Sequence, residues 1–240
     1  MKVAIHQPNF LPWLGYFHKI YISDKFVFLT EVQRSKNDKF LTRATIINNA
    51  KKKHFLSIPL GKDQCLISHL KMPKNNEWKE KFVNIIIESY RNSNYFEQVY
   101  PSLEELIKYE CENFFEYSIN FIKFFASNLN IKSELIRDTE IVGVQGESNY
   151  RNISITKNLN GDEYISGVGA KSYNSQELFD KNSISLVYQN YIHKDYPQHS
   201  TKFEPGLSIL DALFNCGYEA TESLIKSKPN EIRKNSFQSN

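Results

Sequence analysis

Short β-prone runs alternate with amphipathic helical runs at both ends of this 240-residue chain. Lys2–His6 predicts a strand, residues 13–23 have the apolar spacing of a helix whose first turn contains Pro12, and residues 26–32 predict a second buried strand. Residues 162–191 repeat the pattern, with a helical run between two strand-like runs. Such alternation is typical of parallel sheets covered by helices. We therefore expect an α/β fold with a mainly parallel, Rossmann-like sheet.

The part of the chain between these ends has a different character. Residues 40–47 and 54–60 predict two strands, which a turn at residues 48–53 would join as a hairpin. Between about residues 75 and 130, apolar residues recur at helical spacing, and Pro101 with Ser102 predicts a helix start. We expect a single domain over residues 1–240, with a helical insertion or subdomain at residues 74–130.

Two later segments extend the expected α/β pattern. Residues 133–141 predict a return to the sheet after the helical third. Residues 207–217 predict a short helix that Gly217 ends.

Composition and charge exclude several classes of protein. A net charge of +3 is too small for the concentrated basic field of a nucleic-acid binder, so we expect no DNA partner. The basic run at residues 51–54 is better explained as a solvated turn. Cys65, Cys111 and Cys216 are scattered, which argues against a disulfide framework and a cysteine-rich zinc site. We expect no bound metal.

The apolar runs also bear on location. No window approaches 18 consecutive apolar residues, and the first residues become polar too early for a signal peptide. We therefore expect no membrane span and a cytoplasmic location.

The loop that follows the first strand contains an unusual group of residues. Pro8 and Pro12 restrict its backbone, so its polar side chains can be held in place before a ligand arrives. His6 could act as a general base or contact phosphate, while Gln7 and Asn9 supply neutral donors and acceptors. The alternative is a histidine and two amides that satisfy backbone groups at a tight turn. Because ligands of parallel sheets bind beyond the carboxyl ends of strands, this loop is our first candidate site.

The turn at residues 167–173 is the second candidate, since it also follows a strand-like run. Gly167 and Gly169 could leave backbone N–H groups open to an anion beside Lys171, although a single G-x-G is weak evidence. Ordinary turn chemistry is the alternative.

Three further polar positions lie in apolar surroundings. Arg43 is a charge in a strand-like run, suited to a carboxylate or phosphate, or else faces water at a strand edge. Asp211 and Asn215 are four residues apart on one side of a predicted helix. A buried Asp211 needs a partner, such as Arg43 or a ligand amine. The residues around His193 and His199 lack a usual metal-ligand spacing.

His18 suggests one functional alternative. A strand, a proline-containing loop and a helix that carries a histidine resemble the opening of the nucleotidyltransferase and pantothenate-synthetase superfamily, in which that histidine meets ATP phosphates. The Gly-His pair of that superfamily is absent, because Tyr16 and Phe17 separate Gly15 from His18.

Four stretches together resemble the WbqC-like family and cover most of the chain. They read HQPNFLPWLGYFHKI, FVFLTEVQRSKNDKFLTRATII, YISGVGAKSY and LSILDALFNCG. The family pattern maps onto His6, Gln7, Pro8, Asn9, Pro12, Trp13, Gly15, Tyr16, Lys19, Asp24, Gln33, Arg43, Ser208, Asp211, Asn215 and Gly217. One departure is Thr42-Arg43-Ala44, where family members tend to have Asn-Arg-Asn.

The resemblance implies a role in the biosynthesis of bacterial surface polysaccharide, including O-antigen. The implied reaction attaches an acyl or aminoacyl group, such as glycine, to the amino group of a nucleotide-linked amino sugar, for which we expect a dTDP-sugar. The donor could be a thioester, an aminoacyl-tRNA, or an adenylate made from ATP with Mg²⁺. The identity of the cofactor stays open, and a homodimer is compatible with this reading.

The roles that follow from this reading are expectations. His6 would be the base, with Asp211 orienting it or holding the amine. Asn9, Gln7 or backbone N–H groups of the opening loop would stabilise the oxyanion. The residues expected to bind substrate are Gln7, Trp13, Tyr16, His18, Lys19, Gln33, Arg43, Gly167, Lys171 and Asn215. Among these, Arg43 and Lys19 would hold the diphosphate and Trp13 or Tyr16 would stack on a ring. The alternatives are nucleotidyl transfer through His18 and a non-catalytic module that binds a nucleotide-sugar or glycan.

Overall fold

The computed structural model describes residues 1–35, 40–61 and 64–226. Seven strands are described: β1 (Lys2–His6), β2 (Lys25–Phe28), β3 (Arg43–Ile47), β4 (Lys53–Ser57), β5 (Glu134–Arg137), β6 (Glu163–Ser166) and β7 (Ser185–Tyr188). The α-helices in these ranges are α1 (Leu14–Tyr21), α2 (Glu77–Tyr90), α3 (Phe96–Lys108), α4 (Phe114–Asn128), α5 (Ser148–Asn158), α6 (Gln176–Lys181) and α7 (Ile209–Lys226).

Five strands form one parallel sheet in the order β5-β2-β1-β6-β7. The predicted α/β fold with a mainly parallel sheet is therefore confirmed. The chain builds the sheet outward from β1 to one side through β2 and β5, and then crosses to the other side through β6 and β7. The strand order therefore reverses between β1 and β6, and ligands of such sheets bind in the crevice at this reversal.

Alternation along the central strand divides the apolar residues between two cores. Ala4 belongs to a large core that includes buried residues of α1, α4 and α7, among them Phe17, Phe125 and Leu213. Ile5, on the opposite face of β1, belongs to a smaller core that includes buried residues of α5 and α6. Both faces of the sheet are thus covered, as expected for buried parallel strands.

The predicted hairpin is present as β3 and β4, which pair with each other and not with the large sheet. Its position is fixed by the loop after β1, because the Phe10 N–H donates to the Leu41 carbonyl at 2.9 Å. The Ser208 N–H, just before α7, donates to the Thr45 carbonyl at 2.7 Å. The hairpin thus lies between the opening loop and the start of α7.

The predicted helix start at Pro101 is wrong, and Pro12 lies before the helix whose first turn it was expected to join. Helix α3 begins at Phe96 and contains Pro101 in its interior, because Val99 and Leu103 are buried on both sides of the proline. The predicted helix end at Gly217 is confirmed, because its φ of 75° and ψ of 177° are not helical, and a second helical segment with Thr221 and Ile225 buried follows this kink within α7. Pro12 precedes the N-cap residue of α1 and does not lie in the first helical turn.

Candidate functional site

The carboxyl ends of β1 and β6 lie side by side at the point where the strand order reverses. This places the opening loop, which follows His6, next to the turn that follows Ser166. A pocket of about 340 Å³ opens here, and we call it the switch-point pocket. It is lined by Ile5, His6, Gln7, Leu29, Val32, Ser148, Arg151, Asn152, Tyr164, Ala170 and Tyr173. Crevices at such switch points are where sheets of this kind bind ligands.

His6 is held in one tautomer on the wall of this pocket. Its Nδ1 lies 3.1 Å from the Gln7 carbonyl oxygen, which can only accept, so Nδ1 carries the proton and Nε2 keeps a free lone pair. Burial, helped by the positive charge of Lys19, lowers the pKa of His6 from 6.5 to about 3. At neutral pH, His6 is therefore a neutral imidazole whose Nε2 can accept a hydrogen bond.

Lys19 lies behind His6 and is only 3% exposed. Its Nζ donates to the Ile5 carbonyl at 2.8 Å, and no acidic partner for it is found among the described residues. Burial lowers the pKa of Lys19 from 10.5 to about 7. A large part of the Lys19 population is therefore uncharged at neutral pH.

Tyr16 packs against the opening loop and does not line the pocket. Its hydroxyl donates to the Gln7 carbonyl at 2.8 Å, and its ring meets the His6 ring edge-on at a centroid distance of 4.9 Å. Because Tyr16 is only 2% exposed, its predicted stacking on a ligand ring is wrong. The Asn9 N–H also donates to the Gln7 carbonyl, at 2.9 Å, so this one oxygen ties the loop together.

A buried carboxylate connects three segments on the far side of the pocket. Asp138, which follows β5, accepts hydrogen bonds from the N–H and hydroxyl of Thr30, from the Glu31 N–H, and from Arg151 Nη2 at 3.1 Å. This fixes the segment after β2 against the first turn of α5. The Nε of Arg151 is buried and has no partner in the described chain.

These far-side residues were missed by the sequence analysis. Asp138 could have been found, because it directly follows β5, and ligands of parallel sheets bind beyond the carboxyl ends of strands. Arg151, Asn152 and Ser148 carry no signal of their own, since they lie in a polar stretch that predicts only a loop and a helix start.

His18 lies in a separate aromatic cluster beside the end of β7. The Gln189 side-chain amide donates to the Gly15 carbonyl at 2.6 Å and to His18 Nδ1 at 2.9 Å. Burial lowers the pKa of His18 to about 4, so its imidazole is neutral. His18 therefore does not line the switch-point pocket with His6.

Trp13 belongs to the same cluster. Its ring stacks on His193 at a centroid distance of 5.0 Å and meets Tyr191 edge-on at 5.5 Å. The surfaces of Trp13 are thus largely occupied by the chain itself.

Asp211 is fully buried in α7, with tyrosines as its partners. Tyr90 and Tyr196 donate to its two oxygens at 2.8 and 3.0 Å, and the Asn215 amide donates to its backbone carbonyl at 2.8 Å. The expected pairing with Arg43 is wrong, because Arg43 is exposed on the hairpin. Burial raises the pKa of Asp211 from 3.8 to about 6.

The remaining predicted residues are dispersed. Asn9 is buried in the opening loop, and its side-chain oxygen has no partner in the described chain. Gln33 is exposed and forms a β-bridge with Leu66. Gly167 begins the turn beside the pocket, whereas the Lys171 ammonium lies 5.2 Å from the centre of the Tyr188 ring.

Two features are absent from the described ranges. Three or more His, Cys, Asp or Glu side chains come together nowhere in residues 1–35, 40–61 and 64–226 in a way that could hold a metal ion. None of the helices in those ranges has the length and apolar character needed to cross a membrane.

Comparisons with known proteins extend over nearly the whole chain. An uncharacterised protein of Mycobacterium tuberculosis is 27% identical over 228 residues, which is 93% of this chain and 97% of that protein. No solved structure matches the chain significantly. The model of the WbqC-like protein family matches residues 7–223, from the opening loop through most of α7. The match takes in the opening loop from Gln7 and both sides of the switch-point pocket, so the chain belongs to the WbqC-like protein family.

Proposed function

We propose that the chain is an enzyme that transfers an acyl or aminoacyl group to the amino group of a nucleotide-linked amino sugar, in the biosynthesis of a surface polysaccharide. The observation that carries the proposal is the switch-point pocket, which combines His6 and Gln7 on one wall with Arg151 on another. Neutral hydrogen-bonding groups suit a sugar and its amine, and a guanidinium suits phosphate oxygens.

The phosphate groups would lie toward the first turn of α5. Arg151 lines the pocket there together with Ser148 and Asn152, and its side chain is 18% exposed. Asp138 holds one end of the guanidinium, which fixes its orientation before a ligand arrives. A preorganised cation loses little freedom when it binds an anion.

The sugar amine would then face His6. Its Nε2 lone pair can accept a hydrogen bond from the amine and direct the nitrogen lone pair toward the acyl carbon. With a pKa of about 3, however, His6 is a weak proton acceptor, because a general base works best when its pKa lies near the operating pH.

Lys19 has a pKa of about 7, but its buried Nζ donates to the Ile5 carbonyl and does not line the switch-point pocket, so it is out of reach of the amine. In the proposed reaction the amine nitrogen attacks the acyl carbon, the bond to the donor's leaving group breaks with its electron pair, and the amine loses one proton. We assign His6 to orient the amine, and the proton passes to the departing group or to water. His6 is thus proposed as an orienting hydrogen-bond acceptor, and not as the base expected from the sequence.

The test is product formation. The protein is incubated with a dTDP-linked amino sugar and, in separate reactions, an acyl thioester, an aminoacyl-tRNA, or glycine with ATP, and the products are analysed by mass spectrometry. We expect one donor to give a product heavier by the acyl group. His6→Asn should lower kcat/KM about 100-fold, while His54→Asn, on the hairpin, should leave it unchanged.

Two outcomes would contradict the proposal. If the nucleotide-sugar binds but no donor yields product, the chain is a binding module. If His6→Asn retains full activity, His6 has no part in the chemistry.

A further inference from the structure

We propose that Tyr173 is the stacking platform of a nucleobase subsite at the mouth of the switch-point pocket. The inference rests on the proposed function in one respect, that the substrate carries a nucleotide. It adds a binding residue, Tyr173, that the sequence pattern did not indicate.

Tyr173 lines the pocket and yet is 63% exposed. Its backbone, in contrast, is fixed at both ends: its N–H donates to the Ala170 carbonyl at 3.2 Å, and its carbonyl accepts from the Asn149 side chain at 2.9 Å. An aromatic ring that is presented to solvent by a fixed backbone offers a flat binding face with little entropy left to lose.

The turn around Tyr173 is anchored to the two elements that build the pocket. The Asn174 side chain donates to the Ser166 hydroxyl at 2.9 Å, at the end of β6. The Ser175 N–H donates to the Asn149 side-chain oxygen at 3.3 Å, in the first turn of α5. The backbone of Tyr173 is therefore positioned by β6 and by α5, the helix that carries Arg151.

The distribution of polarity within the pocket assigns the ligand portions. His6, Gln7 and Arg151 supply polar contacts for the sugar and phosphates, whereas Tyr173 and Ala170 bring an aromatic ring and a methyl group from the turn. A nucleobase is the flat, π-rich portion of a nucleotide-sugar, and base–aromatic stacking tolerates different bases. The base is thus the portion that Tyr173 fits best.

Binding measurements can test this assignment separately from catalysis. Isothermal titration calorimetry would give the Kd of three probes: dTDP, which lacks the sugar, an amino-sugar 1-phosphate, which lacks the base, and the complete dTDP-amino sugar. Each probe is measured on the wild type, Tyr173→Ala and Tyr173→Phe. Tyr150→Ala is the matched control, because Tyr150 is also exposed at 61% and lies in α5, but does not line the switch-point pocket.

We expect Tyr173→Ala to weaken dTDP and the dTDP-amino sugar about 10- to 100-fold, and to leave the sugar 1-phosphate unchanged. Tyr173→Phe, which keeps the ring, should stay near the wild type, as should Tyr150→Ala. Thermal unfolding of each variant checks that the turn remains folded.

Three results would overturn the subsite. The first is equal weakening of the sugar 1-phosphate, which would place the ring against the sugar. The second is unchanged dTDP affinity in Tyr173→Ala, and the third is no dTDP binding by the wild type. A separate result would reject the proposed acyl transfer. If dTDP binds through Tyr173 but no acylated product forms, the subsite is retained and the reaction is rejected.

Discussion

Lys19 is a buried residue whose positive charge the folded state disfavours. Within the described ranges its ammonium has the Ile5 carbonyl as its one hydrogen-bond partner, and burial lowers its pKa to about 7. Between pH 7 and 10.5 the unfolded chain holds a proton at this residue that the folded chain has lost. The contribution of Lys19 to the free energy of unfolding therefore rises with pH through this interval and is lowest below pH 7.

Replacing Lys19 by Met should stabilise the protein at pH 6 by about 3 kcal/mol, after allowance for the lost hydrogen bond. The gain should shrink as the pH rises toward 10.5. Urea unfolding at pH 6, 8 and 10 measures this dependence. Lys81→Met, at an exposed position, should change stability by less than about 0.5 kcal/mol. An equal gain at every pH would show that the charge is not the cause.

The site residues differ in how far they could be predicted. The loop from His6 to Asn9 could be identified because prolines and polar side chains directly follow a strand. Asp138 joins Thr30 across 108 positions of sequence, and only the sheet order brings them together. The low pKa of His6 depends on burial by distant elements, so its role as a base could not be judged from the sequence alone.

At the scale of the element, helix α7 depends on the glycine that kinks it. Gly217 has φ 75° and ψ 177°, a region that is essentially open only to glycine. An added Cβ would also lie 2.6 Å from Cδ1 of Tyr95. The kink therefore allows α7 to remain packed on both sides of the break.

Gly217→Ala should lower the free energy of unfolding by about 2 kcal/mol. Gly217→Asn should be no better tolerated, because the conformation is not the left-handed helical one that asparagine adopts. Gly169→Ala is the matched control: a Cβ there meets nothing within 4 Å. Chemical denaturation measures the free energy of unfolding of the three variants. A stability of Gly217→Ala equal to that of Gly169→Ala would contradict the prediction.

The same helices show what a local pattern can and cannot predict. The backbone of Gly217 is non-helical and interrupts α7 where the conformational preference of glycine predicts a helix end. Pro101, in contrast, lies inside α3, whose buried apolar face extends from Val99 to Leu103 across it. At Pro101 tertiary packing outweighs the local preference, and a window of sequence does not contain that packing.

At the scale of the whole molecule, the buried titratable groups determine the response to acid. His6 and His18 have pKa values of about 3 and 4, so between pH 4 and 6.5 the unfolded chain binds about two more protons at these positions. Asp211, with a pKa of about 6, acts in the opposite direction between pH 3.8 and 6. From these three groups, stability should rise by about 1.4 kcal/mol per pH unit between pH 4 and 6, and about twice as steeply from pH 6 to 6.5.

The double variant His6→Asn, His18→Gln should remove the rise that comes from the histidines and leave the opposing effect of Asp211. Urea unfolding at pH 4.5, 5.5 and 6.5 gives the slopes of the variant and the wild type. A measurement at pH 7.5, where these histidines are neutral in both states, gives the packing cost of the substitutions. Parallel curves for the two proteins would contradict the prediction.

The central place of β1 has a consequence for biosynthesis. This strand leaves the ribosome before its neighbour β6, which pairs with it at Lys2 and Glu163, 161 positions later. At about 5–20 residues per second, one edge of β1 waits roughly 8–30 s for its partner to be translated. The nascent chain thus carries an apolar strand with one open edge during this interval, and the switch-point pocket cannot close until β6 and the turn that carries Tyr173 have been made.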